Sequence, residues 1–116
     1  MDQSKAVVII FNNNGMGHTS EQPLKDKLTK TFLTLTIQNQ NLPRAICFYT
    51  DGVKLACEGS AVLEELRALE AGGVHLILCQ TCLDYFGLKD KVRVGIVGGM
   101  GDIITAMLQA DSVITV

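Results

Sequence analysis

Long hydrophobic runs are absent from this sequence. The longest wholly apolar stretch is six residues, 6–11, far short of the ~20 that a bilayer span requires. The opening Met1-Asp2-Gln3-Ser4-Lys5 carries no basic region leading into a secretory core, so a cytoplasmic protein is expected. Blocks of like charge are absent too. Ten Lys and Arg stand against twelve Asp and Glu, for a net charge of −2, which argues against binding nucleic acid or an anionic membrane through bulk charge. Glycine and proline are sparse, at eleven and two residues, while 47% of positions are hydrophobic; disordered and low-complexity chains are excluded. No linker or internal repeat interrupts the chain, which reads as one domain over residues 1–116. A domain of this size buries roughly two-thirds of its unfolded surface and needs no disulfide or metal staple.

What is present is a regular alternation. Residues 5–11, 44–49 and 74–79 are continuous runs rich in Val, Ile and Leu, as in strands buried on both faces of a parallel sheet. Residues 91–97 and 112–116 are two further strands, the last a candidate edge. Between the first two lies a helix over 24–40, with Leu24, Leu28, Phe32 and Leu35 on one apolar stripe. Thr19 and Gln22 have capping-box spacing, and Lys25, Asp26, Lys27 and Lys30 form a solvated face. A second helix covers 61–71, capped by Ser60, stopped by Gly72-Gly73, with Val62, Leu66 and Leu69 inward. Short helices are expected at 81–86 and at 102–109, the latter capped by Asp102. The order predicts an α/β fold: a single three-layer α/β/α sandwich with a mostly parallel sheet of about five strands. In such sheets chemistry gathers where strands end at their carboxyl side, here after Phe11, Tyr49, Cys79 and Val97.

Cys79-Gln80-Thr81-Cys82 stands at one of those ends, at a strand-to-helix junction. The free N–H groups of a first helical turn favour negative charge, so a thiol at Cys79 gains thiolate character. Cys82, one turn on, is placed to attack a group carried by Cys79. The plainer reading packs both as small apolar side chains. A thioredoxin arrangement is disfavoured, because no proline follows Pro43 to supply its cis-proline strand. Zinc is disfavoured by spacing, since neither Cys47 and Cys57 nor His18 and His75 make a second tight pair, and no metal site is expected. The glycine-rich segments around Gly15, Gly17 and His18, and around Gly99 and Gly101, lack the third glycine of a dinucleotide fingerprint and the Gly-Lys-Ser/Thr of a P-loop. They form either tight turns or backbone nests for an anion or partner, with Gln80 and Thr81 beside them. His18 reads as a loop histidine that is either solvated or facing an anionic sulfur species. His75 and Cys47 are expected in the core, Cys57 in a loop lining a pocket, and Asp51-Gly52 in a turn. No Ser-His-Asp or paired-carboxylate set can be assembled.

Gly52-Val53-Lys54-Leu55, Gly59-Ser60, Glu64-Glu65-Leu66, Leu69-Glu70 and Gly73-Val74 lead into Cys79-Gln80-Thr81-Cys82-Leu83-Asp84-Tyr85, followed by Leu88, Val94-Gly95 and Asp102-Ile103. With this set the chain resembles the DsrE-like (DsrE/F/H) sulfur-transfer family over nearly its whole length. It is closest there to the carboxyl-terminal domain of YedF-type selenium-metabolism proteins. The resemblance implies a self-associating α/β/α domain that needs no cofactor. It also implies a cysteine at the position of Cys79 that passes sulfane sulfur as a persulfide, accompanied by Cys82. The sequence departs from that subgroup at Gln80, where Gly is usual, and at Gly99-Met100-Gly101, where an Asn-Met-Tyr-like segment is usual. No TusA-like region with a Cys-Pro motif occurs in these residues, which argues against a selenium role. A separate donor is therefore expected, such as a TusA-like carrier or a cysteine desulfurase. The rival expectations are a non-catalytic domain that binds an anion or partner at its glycine loops, and a redox switch using a Cys79–Cys82 disulfide.

Overall fold

Unbroken apolar segments lie at the centre of the sheet, because strands covered on both faces have no solvent side to mark with polar residues. The structure, a computed structural model, describes residues 5–116. Strand β1 (Val7–Phe11) leads to helix α1 (Gln22–Asn39), then β2 (Ala45–Phe48), a 3-10 segment Thr50–Ala56, and α2 (Leu63–Ala71). Strand β3 (His75–Cys79) runs directly into α3 (Gln80–Phe86), followed by a 3-10 turn Lys89–Lys91, β4 (Ile96–Gly98), α4 (Met100–Gln109) and β5 (Ser112–Thr115). The five strands are ordered β4-β3-β2-β1-β5 and every strand pair is parallel. Right-handed crossovers put α1, α2 and α3 on one face, while the return from β4 to β5 carries α4 across the other.

The core follows from the pairing. Phe11 aligns with Phe48, their rings stacked at 5.8 Å, and Phe32 of α1 meets Phe11 edge-on at 6.3 Å. Val8, Ile10, Phe11, Ile46, Cys47, Phe48, Leu76 and Leu78 are all buried, each large side chain contributing on the order of 2 kcal/mol. Among the described residues no helix is long and apolar enough to cross a membrane.

Several elements differ from the sequence expectation. Strand β4 is limited to Ile96–Gly98, not 91–97. Gly95 takes φ +84° and packs so tightly on Leu76 and Leu78 that a Cβ there would lie 2.6 Å from Leu78, which turns the chain just before the strand. Helix α1 begins at Gln22, with Pro23 in its first turn and Glu21 as N-cap; Thr19 accepts a bond from the Glu21 N–H and makes no capping box. A proline there suits the first turn because its missing N–H has no helical partner anyway. The inward face of α1 is shifted from the expected one: Phe32 faces the core as expected and Lys25, Thr29 and Leu33 are buried, whereas Leu24, Leu28 and Leu35 are 44–51% exposed. The loop after β1 buries the two polar residues by satisfying them. Thr29 Oγ1 takes the Met16 N–H at 2.8 Å, and Lys25 Nζ reaches Asn13 Oδ1 at 3.3 Å. Helix α2 starts at Leu63, though Ser60 does accept the Val62 N–H at 3.1 Å. Helix α4 starts at Met100 with Gly99 as N-cap; Asp102 acts from inside the first turn, its carboxylate accepting the Gly99 N–H at 2.9 Å. His75 is exposed and not a core histidine. It opens β3 on the face that α4 alone covers, beside a groove of about 420 Å³ shared with Arg44, Ile77 and Thr105.

Candidate functional site

Two cysteines meet where β3 gives way to α3. Cys79 pairs with Gly98 as the last residue of β3, serves as N-cap of α3, and is only 2% exposed. Three residues complete nearly one helical turn, which brings Cys82 back beside it, half-buried and near enough for each thiol to bear on the other's proton. Neither is in a disulfide.

A third residue completes the arrangement from the end of β2. The Thr50 N–H donates to Cys82 Sγ at 3.0 Å. It can do so because Thr50 lies in the left-handed region, φ +49°, which β-branched residues avoid. Its hydroxyl lies 2.5 Å from the Asn12 carbonyl and 2.6 Å from that of Tyr49. Gly52 closes the corner: a Cβ there would sit 2.0 Å from the Phe11 carbonyl oxygen, so only glycine lets this turn rest on the end of β1. The ends of β1, β2 and β3 thus share one small polar surface around Cys82.

Burial pushes the Cys82 thiol above its ordinary range. Neighbouring Cys79 and the Asp51 carboxylate push the same way, and the Thr50 N–H opposes them. Asp51 holds Lys54 at 2.7 Å, and the Lys54 ammonium lies 4.4 Å from the centroid of the Phe86 ring. Tyr85, 87% exposed, packs edge-on against Phe86. Deeper in, burial lifts the Cys47 thiol to about 11, while Cys57, raised by burial and eased by Arg93, donates to the Val53 carbonyl at 3.3 Å.

The glycine segments are placed differently from one another. In the first, the N–H groups of Asn14, Gly15 and Met16 are already bonded to Asn13 Oδ1, the Asn13 carbonyl and Thr29. Gly15 (φ +128°) presses on Lys25 and Gly17 (φ +83°) turns the chain, so this loop is a closed turn. His18 is exposed on it and takes no part in the hydrogen bonds of the cysteine pair. In the second, Gly98 lies beside Cys79, Gly99 spends its N–H on Asp102, and Gly101 is open to solvent. Gln80 and Thr81 are exposed in the first turn of α3. Cys57 lines a cavity of about 340 Å³ with Asn14, Asp26, Lys54 and Glu58, a space that Cys79 and Cys82 do not line. Among the described residues no group of three or more His, Cys, Asp or Glu is placed to hold a metal ion.

Thr50, Gly52 and the Lys54–Phe86 contact were not singled out as site residues from the sequence. The one available signal was position: they follow the end of a parallel strand.

The arrangement is a dithiol with one buried and one half-exposed sulfur, and a fixed N–H donor on the latter. Comparison with known proteins gives it a context. A model of the DsrE/DsrF-like family matches residues 5–116; it describes the family as a whole and does not single out the YedF-type subgroup. No curated protein matches the chain. Among solved structures, the ychN protein from E. coli is 22% identical, with 97% of this chain and 99% of that one covered at a TM-score of 0.71. The protein of unknown function MTH1491 from Methanobacterium thermoautotrophicum is 17% identical, with 97% and 100% covered, also at 0.71. BT1422 from Bacteroides thetaiotaomicron, likewise of unknown function, is 16% identical at 0.64, with 95% and 94% covered. At these identities the likeness shows a shared fold.

Proposed function

The chain belongs to the DsrE/DsrF-like family, and from that premise we propose that it is a cytoplasmic sulfur carrier that accepts and passes sulfane sulfur as a persulfide on Cys79, assisted by Cys82. The observation that carries this reading is the placement of both cysteines at the carboxyl end of β3, Cys79 as the N-cap of α3 and Cys82 in its first turn, with the Thr50 N–H fixed on Cys82. The Cys79 thiolate would attack the outer sulfur of a donor persulfide, R–S–SH; the Cys79 S–S bond forms, the donor S–S bond breaks, and the donor leaves as its thiolate. The donor is a separate chain, such as a TusA-like carrier or a cysteine desulfurase. Self-association is part of the proposal. It is supported by Met100, Ile104 and Leu108, 46–80% exposed at successive turns of α4, since apolar stripes on a free surface mark contact sites.

The test is sulfur loading. Purified protein is incubated with polysulfide, or with a cysteine desulfurase and cysteine, and intact and peptide masses are measured beside Cys79→Ser and Cys82→Ser. One added sulfur on the Cys79 peptide, absent from Cys79→Ser and retained in Cys82→Ser, is the expected result. The 2% exposure of Cys79 favours one rival, a binding domain with packed cysteines. That rival predicts no added sulfur, and alkylation of Cys79 only after unfolding; this outcome would replace the carrier reading.

A further inference from the structure

The N–H of Thr50 lies 3.0 Å from Cys82 Sγ, and three features hold it there. Thr50 keeps φ +49°, a conformation that costs a β-branched residue energy and persists only where the surroundings impose it. Its hydroxyl spans the Asn12 and Tyr49 carbonyls. Gly52, whose N–H bonds to the Tyr49 carbonyl at 2.9 Å, is wedged on the Phe11 carbonyl so closely that no side chain fits. Left-handed backbone at a non-glycine residue is unusual, and here it points a main-chain donor at a thiol sulfur. A sulfur atom gains most from such a donor when it is negatively charged.

We infer that Thr50 is a positioning residue whose left-handed backbone holds a donor on Cys82 Sγ and so stabilises its thiolate against burial, the thiolate being the group that discharges sulfur from Cys79. This role rests on the sulfur-carrier reading; the hydrogen bond and its effect on Cys82 do not. In the discharge step the Cys82 thiolate attacks Cys79 Sγ of the persulfide Cys79–S–SH. A Cys79–Cys82 disulfide forms, the bond to the outer sulfur breaks, and that sulfur leaves as hydrosulfide. The two cysteine sulfurs are oxidised and the sulfane sulfur is reduced by the same two electrons, so no outside reagent enters this step. Burial first, then Cys79 and Asp51, hold the Cys82 proton on, Lys54 is occupied by Asp51 at 2.7 Å, and the Thr50 N–H opposes them by favouring proton loss.

The side chain and the backbone of Thr50 make opposite predictions, which gives a clean test. Valine has the shape of threonine but lacks the hydroxyl and resists the left-handed region; glycine discards the side chain yet adopts that region freely. In a Cys79→Ser background, the rate of iodoacetamide alkylation at Cys82 is followed against pH by peptide mass spectrometry. Thr50→Gly should superimpose on the parent. Thr50→Val should move the profile up by about one pH unit, about tenfold slower at neutral pH. A Thr50→Val profile on the parent curve, or a Thr50→Gly profile displaced as far as Thr50→Val, overturns the assignment. If Thr50→Val does not fold, the donor alone is deleted by ligation at the Ile46–Cys47 junction of a chain carrying an ester in place of the amide at Thr50. The same upward displacement is expected, and an unmoved profile overturns the proposal. Because no sulfane sulfur is used, failure of sulfur loading in the wild type would remove the carrier reading and leave this result standing.

Discussion

Four cysteines in one small domain occupy four different environments. Cys47 is fully enclosed in β2, its thiol lifted to about 11 from an ordinary 9.0 by burial alone. The sign of the consequence is fixed. The native state holds this proton more tightly than the unfolded chain, so the stability it contributes is complete below pH 9 and is lost as pH rises from about 9 toward 11. The shift corresponds to ~2–3 kcal/mol. Urea denaturation at pH 8 and pH 11 should therefore show a larger loss for the wild type than for Cys47→Ala, by about that amount; equal losses would refute the enclosed-thiol account. The pairing of Cys79 with Cys82 was legible from spacing alone, because three intervening peptide steps on a helix return a side chain to the same face. Thr50 was not legible. Nothing in Tyr49-Thr50-Asp51-Gly52 announces a left-handed threonine, which arises from the approach of Gly52 to Phe11, a contact between residues 41 positions apart.

Elements were read well where burial was complete and poorly where a polar group was satisfied at a distance. Strands β1, β2 and β3 and helix α3 appear close to where their apolar runs and turn residues placed them. Helix α1 has the expected extent to within two residues at its start but is rotated about its axis. Three leucines face outward, and Lys25 and Thr29 face inward to serve a loop that precedes them in sequence. A hydrophobic stripe marks a buried face only if the neighbouring loop makes no competing demand. Truncation distinguishes the two faces. Leu33→Ala, at a fully buried position, should cost ~2–5 kcal/mol, whereas Leu28→Ala, at 44% exposure, should stay within about 0.5 kcal/mol. Chemical denaturation of both variants at low protein concentration decides it; comparable losses would restore the stripe read from sequence.

At the scale of the whole molecule, the sheet is unevenly covered. Three helices lie over one face and α4 alone crosses the other, leaving Ile96 at 59% and Leu108 at 80% exposed. Burial of a stripe of this kind between copies would remove the imbalance. Light scattering after size exclusion is expected to give a mass that is a multiple of 12.5 kDa for the wild type. Ile104→Lys combined with Leu108→Lys should return it to that single-chain value with the far-ultraviolet circular dichroism unchanged. A wild type already at the single-chain mass would remove self-association from the proposed function. The sequence conveyed the alternation of strands and helices, but this asymmetry depends on strand order, which alternation does not encode.

The strand order also fixes a timetable. Strand β1 lies between β2 and β5, and Val7 is paired with Ser112. On a ribosome adding about 5–20 residues per second, roughly 5–20 s separate the emergence of β1 from that of its second neighbour. Through that interval Val7–Phe11, among the most apolar segments of the chain, presents one open row of backbone donors and acceptors of the kind that recruits foreign strands. Completion of this sheet thus waits on the latest of its five strands, and the edge of β1 must be shielded until β5 arrives.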